Sequence, residues 1–186
     1  MREFCVGAMT PRTSCRHGRL GWLGAVALAG AVLLAAAPAQ AGTLDFGPPG
    51  QPGISDFGSV TLNGTQQLTS LAITPFSVVD STGSGAGWKV VLTVSDLSNG
   101  GSTIPATSMA MAAPVVSPAD GASTTGVMGH ATAGNLASGE KIVTADAHDG
   151  DGSYLVSPGI LTLTVPASAT AGVYAGSATI AVVSGP

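Results

Sequence analysis

The chain has no cysteine beyond Cys15 and no arginine beyond Arg19. A thiol-free body has no disulfide framework, thiolate metal ligand or cysteine nucleophile, so its stability must come from packing. Cations are almost as scarce. Lys89 and Lys141 are the only ones after Arg19, while nine acidic residues follow residue 41, giving residues 42–186 a formal charge of −7. That balance repels polyanions and supplies no Lys/Arg cluster to release counterions, which excludes nucleic acid as a partner. Net charge likewise disfavours attraction to teichoic-acid-type polymers. No stretch after residue 41 carries the period of a long helix.

What the chain does have begins with an export signal. Arg2, Arg12, Arg16 and Arg19 precede an apolar run over 20–37, and Ala39-Gln40-Ala41 supplies a small-x-small cleavage site. Cleavage there predicts a secreted product, residues 42–186, long enough for one domain with a sizeable core. An uncleaved anchor is the competing expectation, because the apolar run is long for a signal core. Cys5 and Cys15 lie ahead of that run, so neither can be the lipidated cysteine that would follow it.

The secreted part reads as all-β, an antiparallel sandwich built from short strands. Period-2 alternation and Gly, Pro, Asn or Asp boundaries predict strands near 68–79, 88–95, 107–112, 126–132, 141–145, 160–165 and 173–183. Two further short strands are expected around Leu44-Asp-Phe-Gly47 and over 55–60, joined by a Pro/Gly-rich loop over 48–53. Pro75 implies an edge position or a bulge, since proline has no N–H for a ladder. Tyr174, Ala178, Ile180 and Val182 are expected to share one face of the last strand. The region over 114–140, rich in Ser, Thr, Ala and Gly, reads as a crossover with one weak strand.

One segment resembles a site for chemistry. Asp146-Ala-His148-Asp149-Gly-Asp151-Gly-Ser-Tyr154 places oxygen ligands at alternating positions, which suits calcium, and makes Asp149 and Asp151 the candidate ligands. The EF-hand pattern fails. Counting from Asp149, position six is Tyr154 instead of glycine and position twelve is Ile160 instead of glutamate. A solvated Asp/Gly loop is therefore the simpler expectation. His130 and His148 lack a companion at zinc spacing, and no serine sits in a Gly-x-Ser-x-Gly elbow, so no catalytic residue and no cofactor are assigned. Trp88 opens a strand after a glycine-rich turn, either as a core anchor or as a platform for sugars. Alternation with Val90 and Leu92 favours the core.

These residues together resemble a WxL domain, a module that some Gram-positive bacteria export and retain non-covalently on the cell wall. The likeness spans nearly all of 42–186 and rests on Leu44-Asp-Phe-Gly47, on Val78-Val-Asp-Ser-Thr-Gly-Ser-Gly-Ala-Gly-Trp88-Lys-Val90, and on Leu161-Thr-Leu-Thr-Val-Pro-Ala-Ser-Ala-Thr-Ala-Gly-Val-Tyr174. Trp88-Lys89-Val90 stands where the family has its first Trp-x-Leu, and Ile180-Ala181-Val182 where it has the second. The resemblance implies binding positions at Trp88, Val90, Tyr174, Ile180 and Val182, attachment to peptidoglycan or to other surface proteins, and no enzymatic activity. No sortase-type motif or apolar tail follows the last strand, so retention is expected to be non-covalent, with no membrane contact after signal cleavage. The alternatives are assembly with other proteins by strand addition at a sheet edge, and hydrolysis by a metal held in the loop 146–151.

Overall fold

Alternation dictates the strands. In Trp88–Val94 the side chains of Trp88, Val90, Leu92 and Val94 are buried while those between them face outward, and Leu161–Val165 repeats the pattern with Leu161, Leu163 and Val165. The computed structural model describes residues 41–186; the run over 20–37, read as an export signal with an uncleaved anchor as the competing expectation, and both cysteines lie outside the described residues. Among these residues no helix is long and apolar enough to cross a membrane.

In chain order the strands are β1 (Leu44–Gly47), β2 (Gln67–Leu71), β3 (Phe76–Asp80), β4 (Trp88–Val94), β5 (Leu97–Ser98), β6 (Thr103–Ile104) and β7 (Met109–Met111), followed by β8 (Val115–Ala119), β9 (Val127–Gly129), β10 (Thr132–Ala133), β11 (Glu140–Ala145), β12 (Gly152–Ser157), β13 (Leu161–Val165) and β14 (Ala178–Ser184). All pairings are antiparallel. The first sheet runs β1-β3-β12-β8, the second β10-β7-β13-β2 and the third β14-β4-β11-β9, with β5-β6 a separate hairpin. The protein is all-β, as the alternation predicts.

The first two sheets are one layer interrupted along a line. Leu161 faces Leu71 and Val156 faces Phe76, five residues further along each strand, so register passes unchanged from the second sheet to the first. The same holds on the other side, where Leu161 faces Met111 and Ser157 faces Val115. Carried across the gap, that register sets Pro158 opposite Thr74 on one side and Pro114 on the other, with Pro75 adjacent. Prolines in every column of the break cannot donate to the ladder, and the layer divides there. The expected strand over 68–79 is therefore two strands in two sheets, with Pro75 in the gap.

Against this layer packs the third sheet, and the side chains between them form one core. Phe76 and Val78 from β3, Leu161 and Leu163 from β13, and Trp88, Val90 and Leu92 from β4 belong to it. Four other expectations need correction. The region over 114–140, read as a crossover with one weak strand, carries β8, β9 and β10. Residues 55–60 form no strand; Ile54 makes only an isolated bridge to Ile73. The run over 126–132 splits into β9 and β10, which belong to different sheets. The last strand begins at Ala178, so Tyr174 lies before it and does not share its face.

Candidate binding surface

The two motif segments are neighbours in space. β4 and β14 pair so that Val90 faces Val182 and Trp88 faces Ser184, with Ile180 opposite Leu92. Trp88 and Val90 are fully buried and Ile180 is 3% exposed, while Val182 and Tyr174 are half-buried against the core. Motif positions thus point inward, and the residues between them point out. Lys89, Val91, Ala181 and Val183 line the outer face of the third sheet, and Lys141, opposite Val91 on β11, joins them there. The only two cations of the described residues share that face. Lys89 Nζ also donates to the Pro186 carbonyl at 3.3 Å.

Three loops close one end of the sandwich around Trp88. Its indole N–H donates to the Gly150 carbonyl at 2.8 Å, and its ring packs on Tyr154 with centroids 5.6 Å apart. The His148 amide donates to the Gly85 carbonyl at 2.8 Å, and the Asp146 amide to the Gly126 carbonyl at 3.0 Å. Gly87 approaches the Ala145 and Asp146 carbonyls so closely that a Cβ would collide with them, and its φ of +69° suits glycine. The glycine-rich turn is therefore a docking element for the loop 146–151.

That acidic loop serves the same end. Asp149 closes a turn through its amide to the Asp146 carbonyl at 3.0 Å, and the Asp149-Gly-Asp151 spacing brackets the glycine whose carbonyl receives the indole. Among the described residues no three His, Cys, Asp or Glu side chains converge to hold a metal ion. His130 lies apart from the loop, with Nε2 2.7 Å from Thr144 Oγ1, and Thr144 sits in β11. Gly152, Ser153 and Tyr154, read as the tail of an acidic loop, open the central strand β12.

The two tyrosines sit in opposite electrostatic settings. Tyr154 donates to the Ser123 carbonyl at 2.8 Å and lies 3.2 Å from that of Asp151; burial raises its pKa first, and the negative charges of Asp151, Asp149 and Asp80 raise it further. Tyr174 is pulled below its ordinary value by hydrogen bonds with Ser102 and Thr170. We expect a titration of tyrosinate absorbance to resolve two steps, Tyr174 below about pH 10 and Tyr154 above it. Between the unfolded value near 10 and the raised folded value, the native state holds a proton that the unfolded chain has lost, so stability falls as pH rises through that window. Tyr154→Phe should delete the upper step; a single coincident step in the unaltered protein would contradict these assignments.

Two shallow clefts lie on the surface of the described residues. One lies between β1 and β14, the facing edges of the first and third sheets, with Leu44, Phe46, Gln51 and Ile180 among its walls and a volume of about 510 Å³. The other, about 460 Å³, is lined by Thr107, Ser108, Met109 and Ala110 with Ala133, Gly134 and Thr164. No protein-family model, curated protein or solved structure matches this chain. The likeness to WxL domains rests on the motif residues alone.

Proposed function

We propose that residues 42–186 form an exported, non-enzymatic binding module that attaches non-covalently to the bacterial cell wall or takes part in a surface protein complex. The observation that carries this reading is the pairing of the two motif strands. β4 and β14 use Trp88, Val90, Ile180 and Val182 to lock their inner sides into the core, which leaves Lys89, Val91, Ala181, Val183 and Lys141 as one outer face. On a chain otherwise acidic, that face is where carboxylates of a wall polymer would meet local positive charge.

Mature protein incubated with purified peptidoglycan, with and without teichoic polymers, should co-sediment with both preparations. Lys89→Glu combined with Lys141→Glu should weaken retention about tenfold at low salt, since each exposed charge contributes up to ~1 kcal/mol and reversal adds repulsion. Equal retention of the double variant, or recovery of the protein only in the supernatant, would reject wall attachment through this face. A second reading, assembly by strand addition, is favoured by the open edges of β1 and β14.

A further inference from the structure

Two of the three asparagines precede glycine: Asn63-Gly64 in the loop ahead of β2, and Asn99-Gly100 in the turn between β5 and β6. In such a pair the following backbone nitrogen can reach the side-chain carbonyl carbon, because glycine puts no Cβ in the way. The two sites are held in different ways. Asn99 Oδ1 accepts from the Gly101 and Ser102 amides, but the Gly100 N–H is engaged by Ser98 Oγ at 3.2 Å and Asn99 Nδ2 donates to Thr170 Oγ1 at 3.1 Å. There the attacking nitrogen and the group that would leave are both tied.

At Asn63 three donors converge on Oδ1: the Thr65 N–H at 3.0 Å, the Thr65 hydroxyl at 2.7 Å and Gln67 Nε2 at 2.6 Å. The backbone donor settles which side-chain atom is the oxygen. A side-chain oxygen that meets the amide two residues on folds its carbon back over the intervening peptide, here that of Gly64. Among the described residues nothing accepts a hydrogen bond from Asn63 Nδ2 or from the Gly64 N–H. Both residues are exposed, and Gly64, at φ +77°, has open space around it, so water reaches them. Three donors with no acceptor suit a carboxylate better than an amide.

We infer that Asn63 is a self-modification site: its side-chain amide, held by Thr65 and Gln67, condenses with the Gly64 nitrogen and is hydrolysed to a carboxylate. Hydroxide takes the Gly64 amide proton, and the nitrogen bonds to Asn63 Cγ. The carbonyl electron pair moves onto Oδ1, where the three donors stabilise the oxyanion. As that pair returns, the bond to Nδ2 breaks; Nδ2 takes a proton from water, ammonia departs and hydroxide is regenerated. Water then opens the cyclic imide. Addition at Cγ leaves aspartate at position 63, and addition at the backbone carbonyl leaves an isoaspartyl link with one more methylene in the main chain. Either product adds a negative charge just ahead of β2, and the aspartate receives charge-assisted bonds from the same donors.

The test follows both asparagines in one sample. The folded protein, and synthetic peptides of residues 59–69 and 95–105, are incubated in mildly alkaline buffer made with heavy-oxygen water, and their digests are read by mass spectrometry. The new carboxyl at residue 63 should carry the heavy isotope, form about fivefold faster in the protein than in its peptide, and outpace residue 99 of the protein about tenfold. Residue 99 should convert more slowly in the protein than in its own peptide. Thr65→Val keeps the backbone donor and removes the hydroxyl, so it should slow residue 63 about fivefold, and Gln67→Met should act likewise. A variant that merely loosened the fold would instead speed residue 99, the internal standard. Residue 63 intact or slower than in its peptide, equal rates at the two asparagines in the protein, or a rate at residue 63 unchanged by both variants would each overturn the inference.

Discussion

Trp88→Ala is expected to destabilise the fold of residues 42–186 by about 3–5 kcal/mol, the usual cost of truncating a large buried aromatic. The indole has no exposed surface, lies against Tyr154, and provides the donor for the Gly150 carbonyl. Its removal leaves a cavity between the third sheet and β12 and deprives the loop 146–151 of its tie to β4. Trp88→Phe separates the two contributions, since it keeps part of the ring packing and loses the N–H; the loss of that bond should cost about 1–3 kcal/mol with the carbonyl left unpaired. Denaturant unfolding of the three proteins measures both values. An alanine variant within about 1 kcal/mol of the parent would mean the side chain is exposed, as a sugar platform would be.

Legibility in the sequence followed how much of a segment's environment is local. β4 and β13 were readable because one face of each is buried along its whole length, so hydrophobicity alternates without a break. β12 was not. Although it is paired on both sides, its opening Gly-Ser-Tyr continues an Asp/Gly loop, and only Tyr154 and Val156 are buried. β8 hid for a related reason: it is an edge strand with no fully buried side chain, so its two valines start no hydrophobic alternation and Pro118 argues against a ladder. Residues 55–60 erred in the other direction, because Phe57 and Val60 pack against the core from an irregular segment. Burial there did not require a ladder.

The same division applies to the surface. That Trp88 and Val90 point inward followed from alternation, but their pairing across from Val182 and Ser184 depends on register between segments far apart in sequence. Motif reading drew attention to the buried anchors and away from Lys89 and Ala181, the positions between them that face solvent or are only half covered. A signal was present, since the two lysines are the only cations after residue 19 and Lys89 sits inside the first motif. The β1–β14 cleft had no such signal, because no local pattern encodes which sheet edges face each other.

The loop that receives the indole supplies the second large expected effect. Gly150 has φ +85°, where an L side chain costs about 1–2 kcal/mol. A Cβ there would also collide with Ala145 Cβ and stand 2.6 Å from Trp88 Nε1. Ala145 is a fully buried member of the core, so it has no room to retreat, and relief must come from moving either the loop or the indole. Both routes break the Trp88–Gly150 hydrogen bond. Gly150→Ala should therefore cost about 3 kcal/mol or more, combining backbone strain with the lost bond and overpacking. Gly121→Ala is the control. That glycine has a similar φ of +81° but open space around its Cβ, so it bears the backbone strain alone. Chemical denaturation should place the Gly150 variant well below the Gly121 variant, and tryptophan fluorescence should shift only in the former. Equal losses would mean that the loop yields freely and that the indole does not depend on the close approach of Gly150.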